Sequence, residues 1–374
     1  MKQAAYDLRY LAACAVNRIT PDKQTVEAMN LENLHKMSKA HSLSALTATA
    51  IASAGMALPP EWKAEKERAV RRNILFDGER ARILAFFEQN GIWYLPMKGI
   101  IMKDLYPGLG LREMADNDIL YDSTRQEDVM RFMTQNGYEA ASVGKGAHDT
   151  YYKPPVFNFE LHTRMFSEIT GKTSADYFAG IQDRMLPDEG KQYAYHLRDE
   201  DYYLHLTAHE YKHYSHSGTG LRSLLDRYVY LSKKGAHLDF AYVEAECRKL
   251  GIEQFEKDSR ALCFKVFSSA ALPELTDSER RMLEYYMFST TYGTMSQGIK
   301  NQIEKEYGDM GKGAKLRYLW RRAFPRREFY QTYSPLAYKY PILIPFVCIK
   351  RLFRGIFKRR KQICRELDVV NRLE

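Results

Sequence analysis

The chain has 374 residues, enough for two or three domains, and its 45% apolar content with 27 Tyr can fill a sizeable core. The net charge of +9 is uneven: from Lys312 to Glu374, 17 Lys and Arg stand against four acids, a net +13 that leaves the other 311 residues at −4. This composition excludes a disordered chain, and the slightly acidic body speaks against a whole-protein nucleic-acid binder; the basicity belongs to one segment suited to an electrostatic contact.

In chain order, residues 1–80 read as a helical region, with Leu31, Leu34 and Met37 and then Leu43, Leu46 and Ala50 at helical spacing. The opening MKQAAYDLRYLAACAVN is broken by Asp7 and Arg9, so no signal peptide is expected. Pro59-Pro60 interrupts the pattern, and a charged helix follows through Phe87 to a stop at Asn90-Gly91.

The period then changes. Ile92 to Met97 predicts a short strand, Lys98-Gly99 a turn, Ile100 to Tyr106 a short helix, and Asp118 to Tyr121 a second strand. Arg125 to Asn136 predicts a helix ending at Gly137, and further strands are expected at Tyr151-Tyr152 and Val156 to His162. Helix returns from about Asp199 to Tyr307, and a basic, aromatic-rich tail follows. The expected division is 1–80, a core at 81–195, a helical domain at 196–311 and the tail at 312–374. The fold class is α+β: a small mixed sheet with flanking helices, set between helical regions.

Asp116 and Asp118 lie at i and i+2, which on extended chain points both carboxylates to one side. So close a pair repels unless a cation sits between them, and a divalent ion with oxygen ligands, Mg²⁺ above all, is the natural occupant. In Phe157-Asn158-Phe159-Glu160-Leu161-His162 the alternation turns Glu160 and His162 toward a polar working face. Pairing the two strands would bring Glu160 beside the aspartates, and three carboxylates holding two metals could clamp a phosphoryl displacement.

Met97-Lys98-Gly99, Tyr106, Arg112, Asp116, Asp118, Leu120 and Glu160-Leu161-His162 follow one another in the order L-K-G, Y, R-x-x-x-D-x-D-x-L, E-L-H. That order resembles the polymerase-beta-like nucleotidyltransferase superfamily, and in its spelling the bacterial proteins called "nucleotidyltransferase family". The resemblance implies a nucleotidyltransferase core using Mg²⁺ or Mn²⁺ and an NTP, with ATP the leading candidate, to modify a small molecule, sugar or peptide. It implies Asp116, Asp118 and Glu160 as catalytic metal ligands, with Glu160 also helping to activate the acceptor hydroxyl. Lys98, Gly99, Arg112, His162 and Arg222 would bind the nucleotide, Gly99 by admitting the triphosphate to the backbone. At the turn the superfamily's Gly-Ser or Gly-Gly is replaced by Lys98-Gly99-Ile100, a cation in place of a hydroxyl. A nucleotide-binding scaffold without turnover is the alternative.

Four further features have bland readings, three of them beside sharp ones. His205, His209 and His213 share one helical face and suit packing better than zinc. Arg222 and Asp226 at i, i+4 could form a helix salt bridge, or Arg222 could line the cleft with His209 and His213. The five scattered cysteines, without a C-x-x-C pair, fit reduced thiols in a cytoplasmic protein. In the tail, Leu352, Phe353, Ile356 and Phe357 form an apolar stripe among basic residues, the pattern of a helix lying on an anionic membrane surface or of a packed surface helix. Nucleic acid is the weaker partner for it. No segment has the ~20 apolar residues of a spanning helix.

Overall fold

The computed structural model describes residues 1–372 other than 145, 292, 309, 310 and 359; the side chains of 169, 170, 328, 331, 332, 355, 356, 358 and 362 also stand outside that description. The fold is α+β. The chain divides into one unit of residues 1–212 and 219–291 and a second of 213–218 and 292–374. Residue 80, expected as a boundary, falls inside a continuous helix.

The first unit opens with helices α1 (Lys2–Val16), α2 (Lys23–Glu27), α3 (Leu31–Ala40), α4 (Ser44–Ser53) and the long α5 (Pro60–Gln89). Asp22 and Asn30 cap α2 and α3 by accepting from backbone N–H groups of the first turn. Pro60 starts α5, where a proline lacks no needed donor, and Gly91 follows its end at positive φ.

Strand β1 (Tyr94–Pro96) leads through the turn at Lys98 into α6 (Gly99–Met102) and then β2 (Asn117–Tyr121). Helix α7 (Gln126–Gln135) precedes β3 (Glu139–Ser142), β4 (His148–Lys153) and β5 (Phe157–His162). The five strands lie in the order β1-β2-β5-β4-β3, antiparallel except for the central parallel pair β2–β5. One face is the core: Ile119, Tyr121, Tyr151, Phe159 and Leu161 pack on Phe76, Ile83 and Phe87 of α5 and on Val129 and Met133 of α7. The alternation in 157–162 is thus that of a strand with one buried face.

Helix α8 (Glu168–Tyr177) leads to a hairpin of β6 (Met185–Pro187) and β7 (Tyr195–Leu197), which the sequence does not announce. Helices α9 (Asp199–Tyr214), α10 (Leu221–Lys234), α11 (Phe240–Leu250), α12 (Glu253–Phe267) and α13 (Asp277–Ser289) follow. Arg227 of α10 is fully buried and ion-paired with Glu210 of α9; the Tyr203 hydroxyl accepts from Arg227 and the Tyr286 hydroxyl of α13 donates to Glu210. This network clamps three helices without leaving its charges unmet.

The basic, aromatic-rich tail is a run of helices, the one expected around Leu352 to Phe357 among them. In the second unit α14 (Met295–Tyr307) ends on a left-handed Gly308, and α15 (Lys312–Ala323), α16 (Arg327–Tyr333), α17 (Pro335–Lys339), α18 (Ile344–Lys358) and α19 (Arg360–Arg372) follow. Ile299, Ile303, Ala314, Tyr318 and Val370 form one small core, and Tyr330, Ala337 and Cys348 another. Among the described residues no helix is long and apolar enough to cross a membrane.

Candidate active site

The face of the sheet opposite α5 is built by register. Asp118 of β2 pairs with Glu160 of β5 on the parallel ladder, and His162 of β5 pairs with His148 of β4 on the antiparallel one. Paired residues point to the same side of a sheet, and Glu160 and His162 are two apart, so all four side chains project together. Asn117 points the other way, where Arg80 Nη1 donates to its Oδ1 at 2.8 Å. Asp116 directly precedes β2, near enough to Asp118 that each carboxylate works against the other's charge.

Lys98 supplies the cation among them. Its Nζ donates to Asp118 Oδ1 at 2.6 Å, and the same oxygen lies 2.8 Å from His162 Nε2. Burial alone would raise the Asp118 pKa, but Lys98 and His162 outweigh it and hold this carboxyl far below the usual range. Asp116 moves up, through burial and then the Asp118 charge. Burial, Asp118 and Asp116 push Glu160 up to about 7, against the pull of Lys98. Burial lowers His148 to about 4 and lowers His162 as well, with Lys98 adding to both.

The turn that delivers Lys98 is held firmly. Lys98 has φ +47°, a region costly for a residue with a side chain, on the order of 1–3 kcal/mol. The Tyr202 hydroxyl of α9 donates to its carbonyl at 2.7 Å, and Met97 N–H donates to the Asp118 carbonyl at 3.0 Å, tying the turn to β2. Behind it, Arg112 Nε and Nη2 each donate to the Asp226 carboxylate at 3.0 Å, and the Tyr106 hydroxyl donates to the same group at 2.7 Å. A Cβ on Gly99 would lie 2.6 Å from Arg112 Nη1. The glycine thus makes room for the Arg112 guanidinium, and Arg112, expected to meet phosphate, has its charge matched inside the protein.

The expected Arg222–Asp226 helix salt bridge gives way to this arrangement, since Asp226 faces Arg112 and Tyr106. Arg222 Nη1 instead donates to the Glu113 carbonyl at 3.3 Å, and its charge is felt at Asp116. His205 is buried edge-on against Phe166 and Phe178 with ring centroids 5.7 and 5.9 Å away, a packing role, and its ring lies 6.4 Å from that of His209. His213 belongs to the second unit.

Two side chains at this face escaped the sequence reading. His148 stands among the donors only because of the β4–β5 register; its place opposite His162 has no local signature. Lys212 of α9 is held below the usual lysine range by burial and by Lys98, while Glu160 and Asp118 act in the opposite direction. The lysine is thus close enough to this face to feel the charges of Lys98, Glu160 and Asp118.

A family model described as "Uncharacterised nucleotidyltransferase" matches residues 27–268. The chain belongs to this family. The match covers the whole of the sheet, the turn at Lys98 and helices α3 through α12, and it ends before the basic segment. Neither the curated proteins nor the solved structures hold a match to the chain.

Proposed function

We propose that the chain is a Mg²⁺-dependent nucleotidyltransferase moving a nucleotidyl group from an NTP, ATP first among them, to a hydroxyl or phosphate of a small molecule, sugar or peptide. The observation that carries this reading is the registered Asp118–Glu160 pair with Asp116 two residues upstream and Lys98 in its midst. The donor set fits a hard divalent ion: carboxylate oxygens whose mutual repulsion a cation relieves. Asp116, Asp118 and Glu160 would hold such an ion, which when bound supplies Lewis-acid charge to phosphoryl oxygens.

The chain's own residues do the rest. Lys98, Lys212 and Arg222 present positive charge to the triphosphate. Glu160 has only the His148 and His162 rings as basic groups within 4 Å of its carboxylate among the described residues, at 3.6 and 3.8 Å. It is the carboxylate best placed to take the acceptor's hydroxyl proton. The buried Lys98 turn fixes where the reacting oxygens sit, which is how positioning lowers a barrier.

The test is incubation of the pure protein with radiolabelled NTPs and a metabolite extract. Label should appear in a product only when Mg²⁺ is present, and Asp118→Asn should cut the transfer by roughly 10²–10³-fold or more while the fold stays intact. Unchanged transfer removes Asp118 from the site. NTP binding without label transfer supports the scaffold reading instead. We further infer a cytoplasmic enzyme whose second unit rests on an anionic membrane surface through the exposed apolar face of α18.

A further inference from the structure

His148, Glu160 and His162 hold more than a hard-ion site requires. One ligand atom from each lies within 4.8 Å of the others. The two imidazole Nε2 atoms are 3.6 and 3.8 Å from Glu160 Oε2. Ligands about 2.0–2.2 Å from a tetrahedral ion stand roughly 3.4 Å from one another, so the two carboxylate–imidazole spacings need only a small contraction, while the widest spacing in the group, up to 4.8 Å, must close further as the half-exposed His148 ring turns inward. The three residues sit on adjacent central strands, and the antiparallel register of β4 and β5 fixes His148 opposite His162. Rigid strands set ligand spacing more firmly than loops do.

The surroundings suit ligation as well. His162 Nδ1 lies 3.4 Å from the Arg164 carbonyl, so the ring can carry its proton there and leave Nε2 free to bind an ion. With the proton at Nε2 the ring instead donates to Asp118 Oδ1. His148 is half-exposed, which opens a path for an ion from solvent. Magnesium prefers oxygen ligands alone, whereas two imidazoles beside one carboxylate match Zn²⁺ and its neighbours in the first transition row.

We propose that His148, Glu160 and His162 form a three-ligand seat for a Zn²⁺-class ion beside Asp118. The seat makes the metal choice of this face different from that of an all-carboxylate site, with Glu160 shared between the two. It rests on the nucleotidyltransferase reading for its role and not for its existence, because metal binding is measured without nucleotide.

The experiment titrates Co²⁺ into the full-length, chelator-treated protein, followed by visible absorption, with Zn²⁺ as competitor. The expected result is roughly one ion per chain, with the intense d–d bands of low-coordinate cobalt, displaced by Zn²⁺. In His148→Ala and His162→Ala the bands should be lost, and affinity should fall by more than the roughly 10–100-fold that losing an outer-sphere partner costs. His196→Ala, an exposed histidine paired with Asp188, should bind as the parent does. Should the buried His162 variant fail to fold, the half-exposed His148 variant decides. Cobalt spectra unchanged in His148→Ala, or no such spectra in the parent, overturn the seat. Cobalt binding without any nucleotidyl transfer overturns the functional reading and leaves the seat standing; transfer without the seat does the reverse.

Discussion

His41 closes α3 and is fully buried, yet both of its ring nitrogens are used. Nε2 lies 3.1 Å from the Met287 carbonyl of α13, and Nδ1 accepts from the Leu221 N–H of α10 at 3.0 Å. Those partners fix one neutral tautomer, since a proton on Nδ1 would face an N–H. Burial lowers its pKa to about 4 from 6.5, with the Arg222 charge acting the same way and the Met287 bond opposing. The unfolded chain therefore binds a proton between pH 6.5 and 4 that the folded chain refuses. The stability is fully present above about pH 6.5 and falls as pH drops toward 4, by about 3 kcal/mol in total. Denaturant unfolding at pH 7 and pH 4.5 should show the parent losing more stability than His41→Gln, whose amide does not titrate; equal losses would mean that His41 is not the group that titrates. Nothing in the sequence around His41 marks this, because its partners are 180 and 246 residues away. The carboxylates were legible for the opposite reason: Asp116 with Asp118, and Glu160 with His162, are spaced by the period of a strand.

At the scale of elements, the site depends on a brace between α10 and the turn after β1. Asp226 accepts from Tyr106 and twice from Arg112, and the Arg112 guanidinium fills the space that a Cβ on Gly99 would take. Strand and helix periodicity predicted β1, β2, β5, α5 and α7 within a residue or two, because each buries one face on a shared core. The brace was not legible: its ion pair spans 114 residues, and local spacing favoured Arg222 as the partner of Asp226. Removing the carboxylate strands a buried guanidinium, so Asp226→Ala should lower stability by about 3–5 kcal/mol. It should also weaken NTP binding by loosening the Lys98 turn, although Asp226 lies behind the carboxylate face. Calorimetric melting together with nucleotide titration checks both effects. A variant that melts as the parent does would show that the pair contributes little net stability.

For the whole molecule, the division of charge is matched by a division of surface. The net +13 segment forms most of the second unit, where α18 buries Cys348 against Tyr330 and Ala337. Its other side stays open: Phe346 is 68%, Phe353 59% and Phe357 77% exposed, with Ile349 between them at helical spacing. Of the stripe expected from sequence, Leu352 and Phe353 are also exposed, while the Ile356 side chain lies outside the described residues. Packing within the unit thus accounts for one face of the helix and leaves an apolar face beside the exposed Lys350, Arg354, Arg360 and Lys361. Apolar side chains in line, flanked by cations, complement an anionic bilayer: each basic residue near the surface contributes about 1 kcal/mol, screened by salt, and each buried apolar side chain adds a term that salt does not screen. The full-length protein should therefore co-sediment with phosphatidylserine-containing vesicles and less so at high salt. Phe346→Ser with Phe353→Ser and Phe357→Ser should release it while the +13 charge remains, because cations alone hold only loosely at physiological ionic strength. Binding that survives the triple substitution would reduce the contact to charge alone, and no sedimentation of the parent would leave the stripe without a lipid partner.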